Sequence, residues 1–90
     1  MREQFKALAN PARIEILNLL SDSRNGGVGG GEISVHTIVE SLPLSPSTIS
    51  HHLNVLKKAG IINSRRDKQW IYYSINRESL ESMREFLLGF

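Results

Sequence analysis

Apolar side chains recur along this chain at spacings that switch from helical to extended and back again. Phe5, Leu8 and Ala9 form a short helical pattern that Asn10 and Pro11 interrupt, because asparagine caps a new helix and proline suits its first turn. In the second pattern Ile14, Ile16, Leu17 and Leu20 keep three-to-four spacing, which predicts a buried face, with Arg13, Glu15 and Asn18 outward and an end near Ser21. Ile33, Val35, Ile38, Val39 and Leu42 predict a third amphipathic helix, which Pro43 stops. A tight turn follows. Ser45 then caps a fourth helix, Pro46 takes its first position, and Leu53 and Leu56 carry it to Gly60, a glycine stop. Beyond it Ile61 and Ile62 open an extended segment, Arg65 to Gln69 is polar and turn-like, and Trp70 to Ile75 is aromatic and β-branched, so the two runs predict a β-hairpin. Asn76 caps a last helix with the stripe Leu80, Met83, Phe86, Leu87 and Phe90.

The predicted fold is mainly α with a small β-hairpin, in the order α-α-α-α-β-β-α, as one domain over residues 1–90. The third and fourth helices with their three-to-four-residue turn make a helix-turn-helix, and the hairpin adds a wing. Residues 23–31, S-R-N-G-G-V-G-G-G, hold five of the seven glycines and are expected to form a flexible loop. A phosphate cradle is the sharper alternative there, but the run follows a helix rather than a strand and lacks the Gly-Lys-Ser/Thr ending.

A chain of 90 residues buries only about 60% of its unfolded surface. The broad stripe of the last helix therefore points to a second copy as its cover. The apolar runs fall short of a membrane span, and the N-terminus has no signal-peptide stretch, so a cytoplasmic protein without membrane contact is expected. With no cysteine, disulfides, thiolate metal sites and thiol switches are excluded. Neither a nucleophilic constellation nor a carboxylate pair beside a pocket is evident, so no enzyme activity and no cofactor are expected.

The net charge of +2 is unevenly placed. Residues 45–75 hold Lys57, Lys58, Arg65, Arg66 and Lys68 against Asp67 alone, while the segments on either side are each slightly acidic. A basic middle of this kind suits a surface that meets phosphate. On the fourth helix Ile49, His52, Leu53 and Leu56 define the buried face, with a core hydrogen bond expected for His52. Ser47, Ser50, His51, Asn54 and Lys58 follow one another on the opposite face, offering hydroxyls, an imidazole, an amide and a cation to base edges and phosphates. Thr48 lies beside that stripe and could meet a thymine methyl or a phosphate; Ser45 and Lys57 flank the same surface. Arg65, Arg66, Lys68 and Gln69 form the wing's candidate DNA contacts. Trp70, Tyr72 and Tyr73 could stack on single-stranded bases, but strand packing accounts for them better.

Three segments together resemble the ArsR family of winged-helix repressors: residues 5–20, F-K-A-L-A-N-P-A-R-I-E-I-L-N-L-L; residues 45–62, S-P-S-T-I-S-H-H-L-N-V-L-K-K-A-G-I-I; and residues 65–75, R-R-D-K-Q-W-I-Y-Y-S-I. The spacing S-x-H-L-x-x-L-x-x-A-G within the second is the most specific. The resemblance implies a homodimer held by the first and last helices, here through Phe5, Leu8, Leu80, Met83, Phe86, Leu87 and Phe90, that binds double-stranded DNA at an inverted repeat and blocks transcription. It also implies that the places of a metal-sensing cysteine pair are Ser34 and His36, and residues 76–90 contain no histidine for a zinc site between the last helices. A serine and a lone histidine cannot supply a usual transition-metal shell, while Glu32, His36 and Glu40 fall on one helical face at four-residue spacing, a weak metal arrangement. The chain thus looks most like the family's metal-independent autorepressors. A winged helix used only for protein contacts is the alternative, and the basic middle argues for DNA.

Overall fold

The structure is a computed structural model and describes residues 1–22 and 31–89. Most of the Gly-rich run 23–31, and Phe90 of the last helix's stripe, lie outside the described residues. Helix α1 (Arg2–Leu8) leads into α2 (Pro11–Ser21), then strand β1 (Ile33–Ser34), α3 (Val35–Ser41), α4 (Pro46–Lys58), strands β2 (Ile62–Asp67) and β3 (Trp70–Ile75), and α5 (Arg77–Leu88). The fold is a mainly helical winged helix-turn-helix with a small antiparallel sheet. The sequence reading gives every helix and the hairpin; β1 is the addition.

Helix boundaries follow from local chemistry. Asn10 accepts hydrogen bonds from the backbone N–H groups of Ala12 and Arg13, with Pro11 in the first turn. Ser34 caps α3 by accepting from the Thr37 N–H, so α3 starts at Val35 and Ile33 is a strand residue rather than a helical one. Ser45 caps α4 through the Thr48 N–H. At the other end of α4, Gly60 takes φ 77°, a left-handed conformation that suits glycine. The Gly60 N–H donates to the Lys57 carbonyl and the Ile61 N–H to the Leu56 carbonyl, closing the helix as a Schellman motif.

The sheet order is β1-β3-β2, all antiparallel. Ile33 pairs with Tyr73, while β2 and β3 pair from Ile62↔Ile75 to Asp67↔Trp70, leaving Lys68 and Gln69 as a two-residue turn. Arg65 and Arg66 are therefore strand residues, not part of the turn. The sequence predicts only a two-stranded hairpin, because a two-residue strand carries no periodicity of its own.

Ile16 and Leu20 of α2, Ile38 of α3, Ile49, Leu53 and Leu56 of α4, and Ile61 and Ile62 form the fully buried core. Two assignments on α2 differ from expectation. Ile14 is 40% exposed, because the buried face runs through the i, i+4 pair Ile16 and Leu20. Arg13, expected outward, turns inward, where its guanidinium finds two acceptors: the Ala7 carbonyl at 3.1 Å and His52 Nδ1 at 3.2 Å.

Asn76 ties α4 to α5. Its Oδ1 accepts from the Ser79 N–H to cap α5, its Nδ2 donates to the Gly60 carbonyl at 2.9 Å, and its own N–H donates to the Ile61 carbonyl at 2.8 Å. Replacing it by alanine removes a cap and a side-chain hydrogen bond, an expected loss of about 2 kcal/mol in urea denaturation at fixed protein concentration. Asn76→Asp keeps the capping oxygen but not the donor and should lose less; equal losses would show that the cap contributes nothing.

Candidate nucleic-acid interface

Residues 42–45 separate α3 from α4, so the two helices form the expected helix-turn-helix. Helix α4 is anchored through Ile49, His52, Leu53 and Leu56. On its other side Ser47, Ser50, His51, Asn54, Lys57 and Lys58 are all exposed, as the spacing predicts. The start of this face is a hydroxyl cluster. Ser45 Oγ donates to Thr48 Oγ1 at 2.8 Å and lies 3.2 Å from Ser47 Oγ. Ser45 and Thr48, both expected to meet DNA, are thus already engaged in capping, and Ser47 stands beside them. Lys57 and Lys58 sit in the last turn, where cations also complement the helix dipole.

His52 lies on the buried face, and its Nδ1 accepts from the Arg13 guanidinium, so the proton sits on Nε2. Burial first, then the charge of Arg13, then His51 beside it, hold its pKa below the ordinary imidazole value of 6.5. This neutral imidazole connects α4 to α2, and Arg13 carries the connection on to the end of α1.

The wing divides by strand alternation. Ile62, Ser64 and Arg66 face the same side as Tyr73 and Ile75, which pack on the core, whereas Arg65 and Asp67 share the outer side with Trp70 and Tyr72. The two adjacent arginines therefore point apart. Arg66 is exposed, and its Nε donates to the Lys68 carbonyl at 3.1 Å. Lys68 adopts φ 59°, a left-handed conformation that disfavours non-glycine residues by about 1–2 kcal/mol, and it projects a cation from the turn beside exposed Gln69. Arg65, expected as a phosphate contact, is paired with Glu32: Nε to Oε2 is 2.8 Å and Nη2 to Oε1 is 2.9 Å. Its guanidinium lies 4.8 Å from the centroid of Tyr72. Tyr73 is half-buried in the core, and burial raises its phenol pKa. Trp70 is 44% exposed and meets His36 edge-on at 6.3 Å.

Glu32 precedes β1 rather than lying on α3, so it shares no helical face with His36 and Glu40, which pair at 3.1 Å. Among the described residues no group of three histidine or carboxylate side chains is placed to hold a metal ion. None of the described helices is long and apolar enough to cross a membrane.

The terminal helices meet within one chain: Gln4 Nε2 donates to Ser79 Oγ at 2.9 Å, and the Phe5 and Phe86 rings are 5.8 Å apart. Within the single chain, part of the stripe expected to face a partner is already covered. Met83 is 3% exposed, and Leu8 and Leu80 pack on the core, because α5 folds back onto its own chain. Phe86, Leu87 and Leu88 are 47%, 55% and 70% exposed. Leu88 falls outside the expected set, although it extends an apolar run visible in the sequence.

Comparison with known proteins shows the family and the fold. The family described as bacterial regulatory protein, arsR family, matches residues 10–64. The chain is 39% identical over all its 90 residues to the transcriptional repressor SdpR of Bacillus subtilis, covering 91% of that protein. It is 34% identical over 83 residues to the transcriptional activator HlyU of Vibrio cholerae, covering 92% of this chain and 69% of that one. A solved HlyU structure from the same organism superposes with a TM-score of 0.75 at 32% identity, over 96% of this chain and 85% of that one.

The His52 environment gives folding stability a pH dependence of definite sign. Its pKa is lower folded than unfolded, so below about 6.5 the unfolded chain takes up a proton that the folded chain resists, and stability is lost as pH falls toward the folded value. Urea midpoints between pH 8 and pH 5, above most carboxylate titration, should fall toward acid. They should fall less in His52→Gln, which retains an acceptor for Arg13 and both other histidines; parallel curves would refute the assignment.

Proposed function

Because the chain belongs to the bacterial arsR family of regulatory proteins, it is a DNA-binding transcriptional regulator and not an enzyme, and we propose that it is a homodimeric, metal-independent repressor of an inverted-repeat operator. The observation that carries this reading is the exposed polar face of α4 opposite a fully buried one, with the cationic wing turn following in the chain. In the proposal Ser47, Ser50, His51 and Asn54 read base edges in the major groove, while Lys57, Lys58, Arg66 and Lys68 hold phosphates. Gln69 adds a polar contact at the wing. The strained backbone of Lys68 favours this role, since a glycine would turn the chain there without strain but without the charge.

Repression is favoured by the match along the whole chain to a relative named as a repressor. The HlyU relative is named as an activator, so the sign of regulation rests on function rather than on fold. Metal independence is favoured by the use of Ser34 as the cap of α3 and by the absence of cysteine. Binding to the regulator's own promoter and a cytoplasmic location complete the proposal.

Base reading and phosphate holding fail differently when their residues are removed. Ser47→Ala or His51→Ala should weaken operator binding by roughly 1–3 kcal/mol with little change on random duplex. Arg66→Ala should weaken both and lower the slope of log affinity against log salt by about 1. Titrations at several salt concentrations on the intergenic DNA upstream of the gene decide this, and a uniform loss for Ser47→Ala would remove it from the reading face. The dimer is covered, in this proposal, by Phe86, Leu87 and Leu88 together with Met1, 44% exposed, at the other end of the chain. Leu87→Glu should leave a folded monomer in sedimentation equilibrium and abolish high-affinity operator binding; an unchanged dimer would place the contact elsewhere.

A further inference from the structure

Arg65 carries a full charge on the wing, but Glu32 offsets it at close range. The Nε/Nη2 edge of the guanidinium, one of the two edges that a phosphate can take, already donates to the two oxygens of Glu32. The contact spans the whole sheet. Arg65 of β2 pairs with Tyr72 of β3, and Tyr72 pairs with Ser34 of β1, so the arginine crosses over the Tyr72 ring to reach the residue just before β1. The Glu32 contact holds the guanidinium further into its charged form and holds the Glu32 carboxyl below its ordinary range. On the opposite face of the wing, Arg66 meets only a backbone carbonyl among the described contacts.

We infer that Glu32 is a specificity-determining residue: by chelating Arg65 across Tyr72 it withholds one wing cation from DNA phosphate and keeps sequence-independent affinity low. Releasing Arg65 to a phosphate would leave the Glu32 carboxylate facing the same polyanion, so the exchange returns little in the intact protein. Replacing the carboxylate by its neutral amide removes that obstacle. The inference rests on the wing lying at the DNA backbone, as proposed above, and Arg66→Ala serves as the separate check of that placement.

The experiment is a salt titration of binding to a random-sequence duplex. Glu32→Gln should raise affinity several-fold at low salt and steepen the slope of log affinity against log salt by about 1, the signature of one further phosphate contact. Arg65→Gln alone should leave the slope unchanged, and the double variant Glu32→Gln/Arg65→Gln should return to the parental slope. The ratio of operator to random-duplex affinity should fall in Glu32→Gln. Three results overturn the inference: a slope lowered by Arg65→Gln alone, which puts that arginine on phosphate despite Glu32; a gain that persists in the double variant, which makes Glu32 a general charge effect; and no change in Glu32→Gln. If Arg66→Ala is also without effect on the slope, the wing's placement at the backbone fails with it. If Arg66→Ala lowers the slope as expected, only the role of Glu32 falls.

Discussion

Helix α4 is the middle of the core on one side and an exposed polar surface, the proposed reading face, on the other, and most of the molecule is arranged around that double demand. Ile49, Leu53 and Leu56 are essentially without solvent contact and meet side chains from α2, α3 and the start of the wing. Truncating one such leucine typically costs about 2–5 kcal/mol, a large part of the stability of a small domain. A slip of one residue would rotate the helix by about 100° and carry polar side chains such as Ser50 and Asn54 into the core. Ser45 and Pro46 at one end and Gly60 at the other fix the register against that slip, and Arg13 adds a polar lock through His52.

Features that depend on a few adjacent residues are legible in the amino-acid sequence. Asn10, Ser45, Gly60 and Asn76 act where the chain itself places them, because a cap needs only a side chain and the next turn of backbone. The exposed polar face of α4 is legible for a similar reason, since helical spacing alone sorts Ser47, Ser50, His51 and Asn54 from Ile49, Leu53 and Leu56. Strand β1 is not, because Ile33 and Ser34 become a strand only when Tyr73 and Tyr72 lie alongside. The inward turn of Arg13 depends on acceptors in two other helices. The stripe on α5 says only that something covers it, and within one chain α1 meets that helix through Gln4 and Phe5.

Charge in the wing illustrates how a sequence window can overstate a surface. Five cations against one acid in residues 45–75 is a sound count. Strand alternation then puts Arg65 and Arg66 on opposite sides, and a carboxylate from 33 positions earlier occupies the first of them. The membership in a DNA-binding family is unaffected. What changes is which cations the wing can offer, and to which side.

Asn76 would give the proposed dimer a ruler. Its amide holds the last turn of α4, through Gly60, to the first turn of α5. In a two-fold dimer joined near the end of α5, the separation of the two reading helices is then set by how rigidly each α5 carries its own α4. Operator half-sites must repeat at about 34 Å, one turn of B-DNA, or a multiple of it. In the proposed dimer a loosened joint at Asn76 would widen the range of half-site spacings accepted, so a single side-chain amide away from the reading face would set the tolerance for spacer length.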